Sequence, residues 1–135
     1  MESFRFDVEL PVRYRDLDTL GHVNNAVYGT YLEQARVRYF DRALDLPFEA
    51  REMVLAHVDL DFRRPITLED GSVRVACGVT DLGTSSIEMA YRVDAGESSE
   101  PAATGESVQV AWGGEGSCPL PEEWREQIRA FEPTL

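Results

Sequence analysis

One stretch of this chain keeps a helical period long enough to cross a domain, and it is apolar on more than one side. From residue 24 to about 46, Tyr28, Leu32, Ala35, Tyr39 and Ala43 recur at three- and four-residue spacing. Val27, Tyr31, Phe40 and Leu44 widen that stripe, so the helix needs cover on several sides. Asn24 or Asn25 supplies an N-cap, and Pro47 marks the end. The rest of the chain offers strands as cover. Phe4, Phe6, Val8 and Leu10, then Val12 and Tyr14, alternate along residues 4–15, with Pro11 pointing to an edge strand or bulge. Ala56, Val58, Leu60 and Phe62 alternate with His57, Asp59, Asp61 and Arg63. Val73, Val75, Cys77 and Val79 follow the Asp70-Gly71 turn, and Ile87, Met89, Tyr91 and Val93 follow Leu82-Gly83. Val108, Val110 and Trp112 come after a Gly/Ser/Glu-rich loop over residues 95–100. Residues 121–131 read as a short terminal helix, begun by Pro121 and two glutamates. Strand, long helix, then four antiparallel strands make an α+β domain whose sheet wraps the helix. No internal repeat or linker divides residues 1–135, so one domain is expected.

Charge narrows the function classes. The chain has 25 acidic against 13 basic residues, a net charge of −12, which excludes the basic face a nucleic-acid surface needs. All 13 basic residues are arginine, with no lysine. Such acidity fits a surface adapted to a salt-rich cytoplasm, where ions screen its self-repulsion; drift of lysine codons to arginine is the plainer alternative. No run approaches the ~20 apolar residues of a membrane helix. Residues 1–11 lack the apolar core of a signal peptide, so a cytoplasmic protein is expected. Cys77 lies in an alternating apolar run and reads as core, and Cys118 reads as a free thiol. Neither forms part of a zinc or disulfide pattern.

The chemistry concentrates in residues 13–28, Arg-Tyr-Arg-Asp-Leu-Asp-Thr-Leu-Gly-His-Val-Asn-Asn-Ala-Val-Tyr. Two carboxylates, a histidine and two asparagines stand directly before the long helix. First-turn N–H groups lack intrahelical partners and carry the positive end of the helix dipole, so they can hold a developing oxyanion. A carboxylate beside them can attack a carbonyl or activate water. Capping and turn formation use the same residue types, and local chemistry alone leaves both readings open.

The segment Asp18-Thr-Leu-Gly21-His22-Val23-Asn-Asn-Ala-Val-Tyr28, continuing into Tyr31-Leu-Glu33-Gln-Ala35-Arg36, closely resembles the signature of hotdog-fold thioesterases of the 4-hydroxybenzoyl-CoA thioesterase type. Phe62-Arg63-Arg64-Pro65-Ile66 with Asp70-Gly71 resembles that family's second block. The resemblance covers most of the chain. It implies a five-stranded antiparallel sheet around one long helix, and homodimers or homotetramers with active sites at the protomer interface. It also implies hydrolysis of an acyl-CoA or acyl-carrier-protein thioester, with CoA part of the substrate and no metal or other cofactor.

By this resemblance Asp18 is the nucleophile or general base, and the backbone N–H at Asn25 polarises the thioester carbonyl. His22 falls where acyl-carrier-protein thioesterases carry a helping histidine, although Leu20 replaces the middle asparagine of their motif. Asn24, which can also cap the helix, and Tyr28 are expected to bind substrate. Arg63 and Arg64 are candidates for CoA phosphates, because guanidinium forks suit phosphate oxygens. The turn Leu82-Gly-Thr-Ser-Ser86, where some relatives hold the nucleotide with basic residues, contains none. Asp16 reads as a loop or structural carboxylate, Glu33 as a structural partner of Arg36 or of loop backbone, and His57 as a strand-surface residue.

Two other functions share the expected fold. Hotdog enoyl-CoA hydratases place Asp and His five apart with Asn-Pro between them, whereas Asp18 and His22 are four apart with no proline. Non-catalytic acyl-CoA-binding modules usually carry a DNA-binding extension, for which 135 acid-rich residues leave no room.

Overall fold

A computed structural model describes residues 4–135, the side chain of Phe48 apart. Residues 1–3, part of the stretch 1–11 in which no apolar signal-peptide core is expected, lie outside the described residues. Strand β1 (Phe6–Pro11) leads through a single 3-10 turn (Tyr14–Asp16) to helix α1 (Asn25–Ala43). Strands β2 (Met53–Phe62), β3 (Ser72–Leu82), β4 (Ser86–Ala95) and β5 (Ala103–Ala111) follow, and helix α2 (Glu122–Phe131) closes the chain. All five strands join one antiparallel sheet in the order β1-β3-β4-β5-β2. The chain thus crosses from β1 on one edge to β2 on the other, then fills the middle with a meander.

Helix α1 begins where Asn24 accepts the Ala26 N–H on its side-chain oxygen at 2.9 Å. It ends three residues before the expected limit. Leu44 turns extended and sends its N–H back to the Phe40 carbonyl. Tyr28, Leu32, Ala35, Tyr39 and Ala43 are all buried, as their spacing requires. The expectation of a helix wrapped on several sides fails in one respect: Gly29, Thr30, Glu33, Gln34, Arg38, Asp41 and Arg42 are exposed. The helix lies along one face of the sheet, chiefly on β3 and β1.

Under it, Val73, Val75, Cys77, Ile87, Met89 and Val93 are removed from water, each large apolar side chain contributing about 1.5–3 kcal/mol by burial. Tyr39 is the hub at the far end of the core. Its ring meets Phe6, Phe40 and Phe131 edge-on at 5.8, 5.3 and 5.3 Å. Its hydroxyl donates to the buried Glu132 Oε2 at 2.6 Å, and that oxygen also accepts the Val79 N–H at 3.3 Å. Gly78 makes room for the carboxylate, since a Cβ there would lie 2.9 Å from Oε2.

Three other readings change. Strand β1 stops at Pro11, on a sheet edge as proline permits, and Tyr14 belongs to the following turn with 81% of its surface exposed. In β5 the buried set is Ala103, Ser107, Gln109 and Ala111, not Val108, Val110 and Trp112. Alternation held, but the polar half of the strand faces inward. Strand β2 loses its alternation at Ala56, where the register with β5 shifts between Leu55 and His57. As an edge strand it leaves Val54, Leu55, Val58 and Phe62 exposed.

Candidate active site

Local hydrogen bonds fold residues 17–23 into a tight loop. The Asp18 N–H donates to the His22 carbonyl at 2.8 Å and the Gly21 N–H to the Asp18 carbonyl at 3.1 Å. Gly21 sits at φ 80°, a left-handed conformation that a residue without Cβ adopts at little cost. The loop is then tied outward: the Val23 N–H donates to the Ile66 carbonyl at 2.8 Å, and the Asn24 N–H to the Asp16 carbonyl at 2.9 Å. This places the start of α1 beside the segment that follows β2.

The Asp18 side chain is exposed at the centre of this loop. Its Oδ1 accepts the Leu20 N–H at 2.9 Å and the His22 N–H at 3.3 Å. Oδ2 accepts no hydrogen bond from the described residues. One oxygen is therefore fixed by backbone, and the other is open to a substrate or water. Among the described residues the Asn25 N–H, first in the helix, likewise meets no acceptor, while Ala26 and Val27 are satisfied by Asn24.

Asp18, His22, Asn25, Tyr28, Arg63 and Arg64 line a single open recess with Leu20, Phe62 and Pro65. Tyr28 and Phe62 meet edge-on at 4.9 Å and join α1 to β2 across its floor. His22 is half-buried, and its ring has no hydrogen-bond partner among the described residues. Asn24 is exposed, and its side-chain oxygen is occupied by the cap.

The two arginines differ. Arg64 is half-buried and committed to the fold: its guanidinium donates to the Ala95 and Pro65 carbonyls and lies 3.7 Å from Asp70. Arg63 is exposed, and its guanidinium meets no acceptor among the described residues.

Asp16 does not share the recess. It is 1% exposed, and it accepts from the Arg13 N–H, from two guanidinium nitrogens of Arg13 at 3.1 and 2.9 Å, and from the Tyr31 hydroxyl. Burial pushes its carboxyl up, but the bonds and charge of Arg13 and the Tyr31 hydroxyl outweigh that and hold it below the usual carboxylate value. Burial, and then the Asp16 charge, raise the Tyr31 phenol in turn. His57 pairs with Asp59 at the surface of β2, away from the loop.

Glu33 and Arg36 do not pair. Arg36 Nη1 donates instead to the buried Tyr91 hydroxyl at 3.2 Å. That hydroxyl opens a polar chain that the alternation of β5 did not announce: Tyr91 to Ser107 at 2.6 Å, Ser107 to Gln109 Oε1 at 2.5 Å, and Gln109 Nε2 to the Ile87 carbonyl at 3.1 Å. The one signal in the sequence was the polar Ser107 and Gln109, which share a face of their strand. Among the described residues no three His, Cys, Asp or Glu side chains cluster as a metal-binding set.

With a five-stranded sheet, one long helix across it and an acidic loop at the helix N-terminus, comparison with known proteins is decisive about class. Residues 12–128 match the model of the thioesterase-like superfamily, and the chain belongs to that family of thioester hydrolases. A Thermus thermophilus thioesterase, crystallised with coenzyme A and zinc, is 45% identical, with 98% of each chain covered and a TM-score of 0.89. The Bacillus subtilis (strain 168) protein YsmA is 30% identical over 110 residues, 80% of this chain and 73% of that one. A 1,4-dihydroxy-2-naphthoyl-CoA thioesterase from Synechocystis shares the hotdog fold at 21% identity, with a TM-score of 0.79 and coverage of 91% and 94%.

Proposed function

We propose that this chain hydrolyses acyl-CoA thioesters in the recess before α1, with Asp18 as the reacting carboxylate. One observation carries this reading: the open oxygen of Asp18 and the unpartnered Asn25 N–H line the same recess. A thioester carbonyl oxygen at the Asn25 N–H sits at the positive end of the α1 dipole, where the charge of a tetrahedral intermediate is stabilised. Asp18 then attacks the carbonyl carbon, or takes a proton from the water that does. CoA thiolate leaves in either case; direct attack leaves the acyl group as an anhydride on Asp18, which water then hydrolyses to the free acid, whereas the water route gives the acid at once. His22 borders the reacting atoms and orients the substrate, and Tyr28 with Phe62 forms the apolar floor. Arg63 has a free guanidinium at the rim and meets a CoA phosphate.

The active unit is a homodimer or a dimer of dimers. Among the described residues the outer edge of β2 has no strand partner, and Val54, Leu55, Val58 and Phe62 are exposed along it. A second copy pairing there removes an edge that otherwise invites aggregation.

The test is release of free thiol from a panel of short, long and aromatic acyl-CoAs. Tight acyl-CoA binding with no thiol released would identify a binding module, and hydration of an enoyl-CoA a hydratase.

A further inference from the structure

A second recess lies between α1 and β2, toward the opposite ends of these elements from the Asp18 recess. The Asp18 recess is bounded by Asn25 and Tyr28 of α1 and by Phe62 at the end of β2. The second, about 200 Å³, is bounded by Arg36, Val37 and Phe40 of α1 and by Met53 and Val54 at the start of β2. Its apolar lining also includes Leu55, and Glu33, Arg36, Arg51 and Gln109 are its polar members, with Arg51 held by Asp41.

Arg36 is unusual among the arginines. Five of the 13 are half-buried: Arg36, Arg51, Arg64, Arg92 and Arg125. Arg51, Arg64 and Arg92 each meet an aspartate, and Arg125 meets the carbonyls of Gly83 and Thr84. Among the described residues Arg36 meets only the Tyr91 phenol. Acidic residues outnumber arginines 25 to 13 in this chain, so carboxylates are not scarce. Glu33 stands on the rim of the recess, one turn away, and is exposed rather than paired with Arg36.

The chain of bonds behind Arg36 has one consistent direction. Gln109 Nε2 donates to Ile87, Ser107 donates to Gln109, and the Tyr91 hydroxyl, 2.6 Å from Ser107, gives its proton there and accepts from Arg36. The guanidinium is thereby held in place by one of its five N–H groups, and the others are not engaged. A partly desolvated cation with spare donors, in a recess with Val37, Phe40 and Met53, is complementary to a carboxylate.

We infer that the second recess receives the far end of the acyl group and that this end carries a carboxylate, so that Arg36 selects ω-carboxyacyl thioesters over plain ones. This rests on the hydrolytic reading of the Asp18 recess. The eleven helical steps from Asn25 to Arg36 rise about 16 Å, and side chains lean toward the helix N-terminus, which suits an acyl chain of medium length.

The experiment compares kcat/KM for matched pairs: adipoyl- with hexanoyl-CoA, suberoyl- with octanoyl-CoA, and sebacoyl- with decanoyl-CoA. The expected result is a preference of about tenfold or more for the carboxylated member of at least one pair, falling to near unity in a folded Arg36→Met variant and partly kept in Arg36→Lys. Equal rates within every pair, or a preference that survives Arg36→Met, overturn the inference and leave hydrolysis standing. If no thioester is hydrolysed, the hydrolytic reading fails, and calorimetric titration with free suberate decides the recess separately. Binding that Arg36→Met abolishes supports the carboxylate site, and no binding overturns it.

Discussion

Asp18 and His22 clasp each other through backbone: the Asp18 N–H donates to the His22 carbonyl at 2.8 Å, and the His22 N–H returns to Asp18 Oδ1 at 3.3 Å. The carboxylate is thus aimed by the loop and needs no neighbouring side chain to orient it. Replacement by asparagine keeps an oxygen acceptor for the Leu20 and His22 N–H groups, so Asp18→Asn should fold normally. It should lose about 10²–10⁴-fold in kcat, the contribution of a positioned base, or more if the carboxylate is the nucleophile. Steady-state hydrolysis with circular dichroism checks this; a folded variant keeping a tenth of the activity removes Asp18 from the reaction. His22→Ala, by contrast, should raise KM more than it lowers kcat.

Asp16 should matter for stability and little for chemistry. Loss of a hydrogen bond to a charged group costs about 1.5–3 kcal/mol, so Asp16→Asn should lower the urea midpoint at neutral pH. The pH dependence has a definite sign. The folded-state pKa of Asp16 lies below its ordinary value, so its stabilising contribution is present above the unfolded pKa, about 3.9, and is lost as pH falls through the folded value. Wild type and Asp16→Asn should therefore converge in stability as pH drops from about 5 toward 2. A gap that stays constant over that range refutes the account.

Adjacent arginines should separate cleanly. Arg63→Ala should raise KM for CoA thioesters and leave thermal stability unchanged, and the KM difference should shrink in salt as phosphate contacts are screened. Arg64→Ala removes bonds to Ala95, Pro65 and Asp70 and should lower the melting temperature. Kinetics and thermal melts on both variants decide it, and an unchanged melting temperature for Arg64→Ala contradicts the structural role.

The two thiols should differ in reactivity. Cys77 is fully buried, and burial beneath α1 pushes its thiol up to about 12, whereas Cys118 is partly exposed. One equivalent of a thiol reagent should label the native protein at Cys118, and a second only in denaturant. Mass spectrometry that finds Cys77 labelled at a comparable native rate rejects this packing.

The edge of β2 gives the last prediction. Val58→Asp adds a charge to its exposed apolar residues and should shift the protein toward monomer by light scattering, with activity falling in parallel. A wild-type monomer at micromolar concentration would refute the dimer.

Most of the fold was legible because period and punctuation agreed. Tyr28 through Ala43 marked the buried side of α1, Asp70-Gly71 and Leu82-Gly83 bounded β3, and Asp18 through Tyr28 formed a specific motif. What stayed hidden depends on contacts distant in sequence. Nothing local tells that β2 travels to the far edge beside β5, or that α1 rests on β3 and β1. For that reason alternation alone points Val108 and Val110 inward, although Ser107 and Gln109 occupy that side beside Tyr91. Arg63 and Arg64 were equivalent as letters. Only the approach of Ala95 and Asp70 separates a free guanidinium from a committed one.

The bond between Tyr39 and Glu132 spans 93 positions, and among the described residues Glu132 is the acceptor that the buried Tyr39 hydroxyl finds. A nascent chain that has delivered α1 and all five strands still holds that phenol without its acceptor, and α2 has yet to bring Phe131 against the same ring. Closure of such non-local contacts is slow relative to helix formation, and synthesis proceeds at about 5–20 residues per second. The core is therefore completed only once Phe131 and Glu132 have been added, and a chain lacking them would fail at the opposite end of α1 from the Asp18 loop.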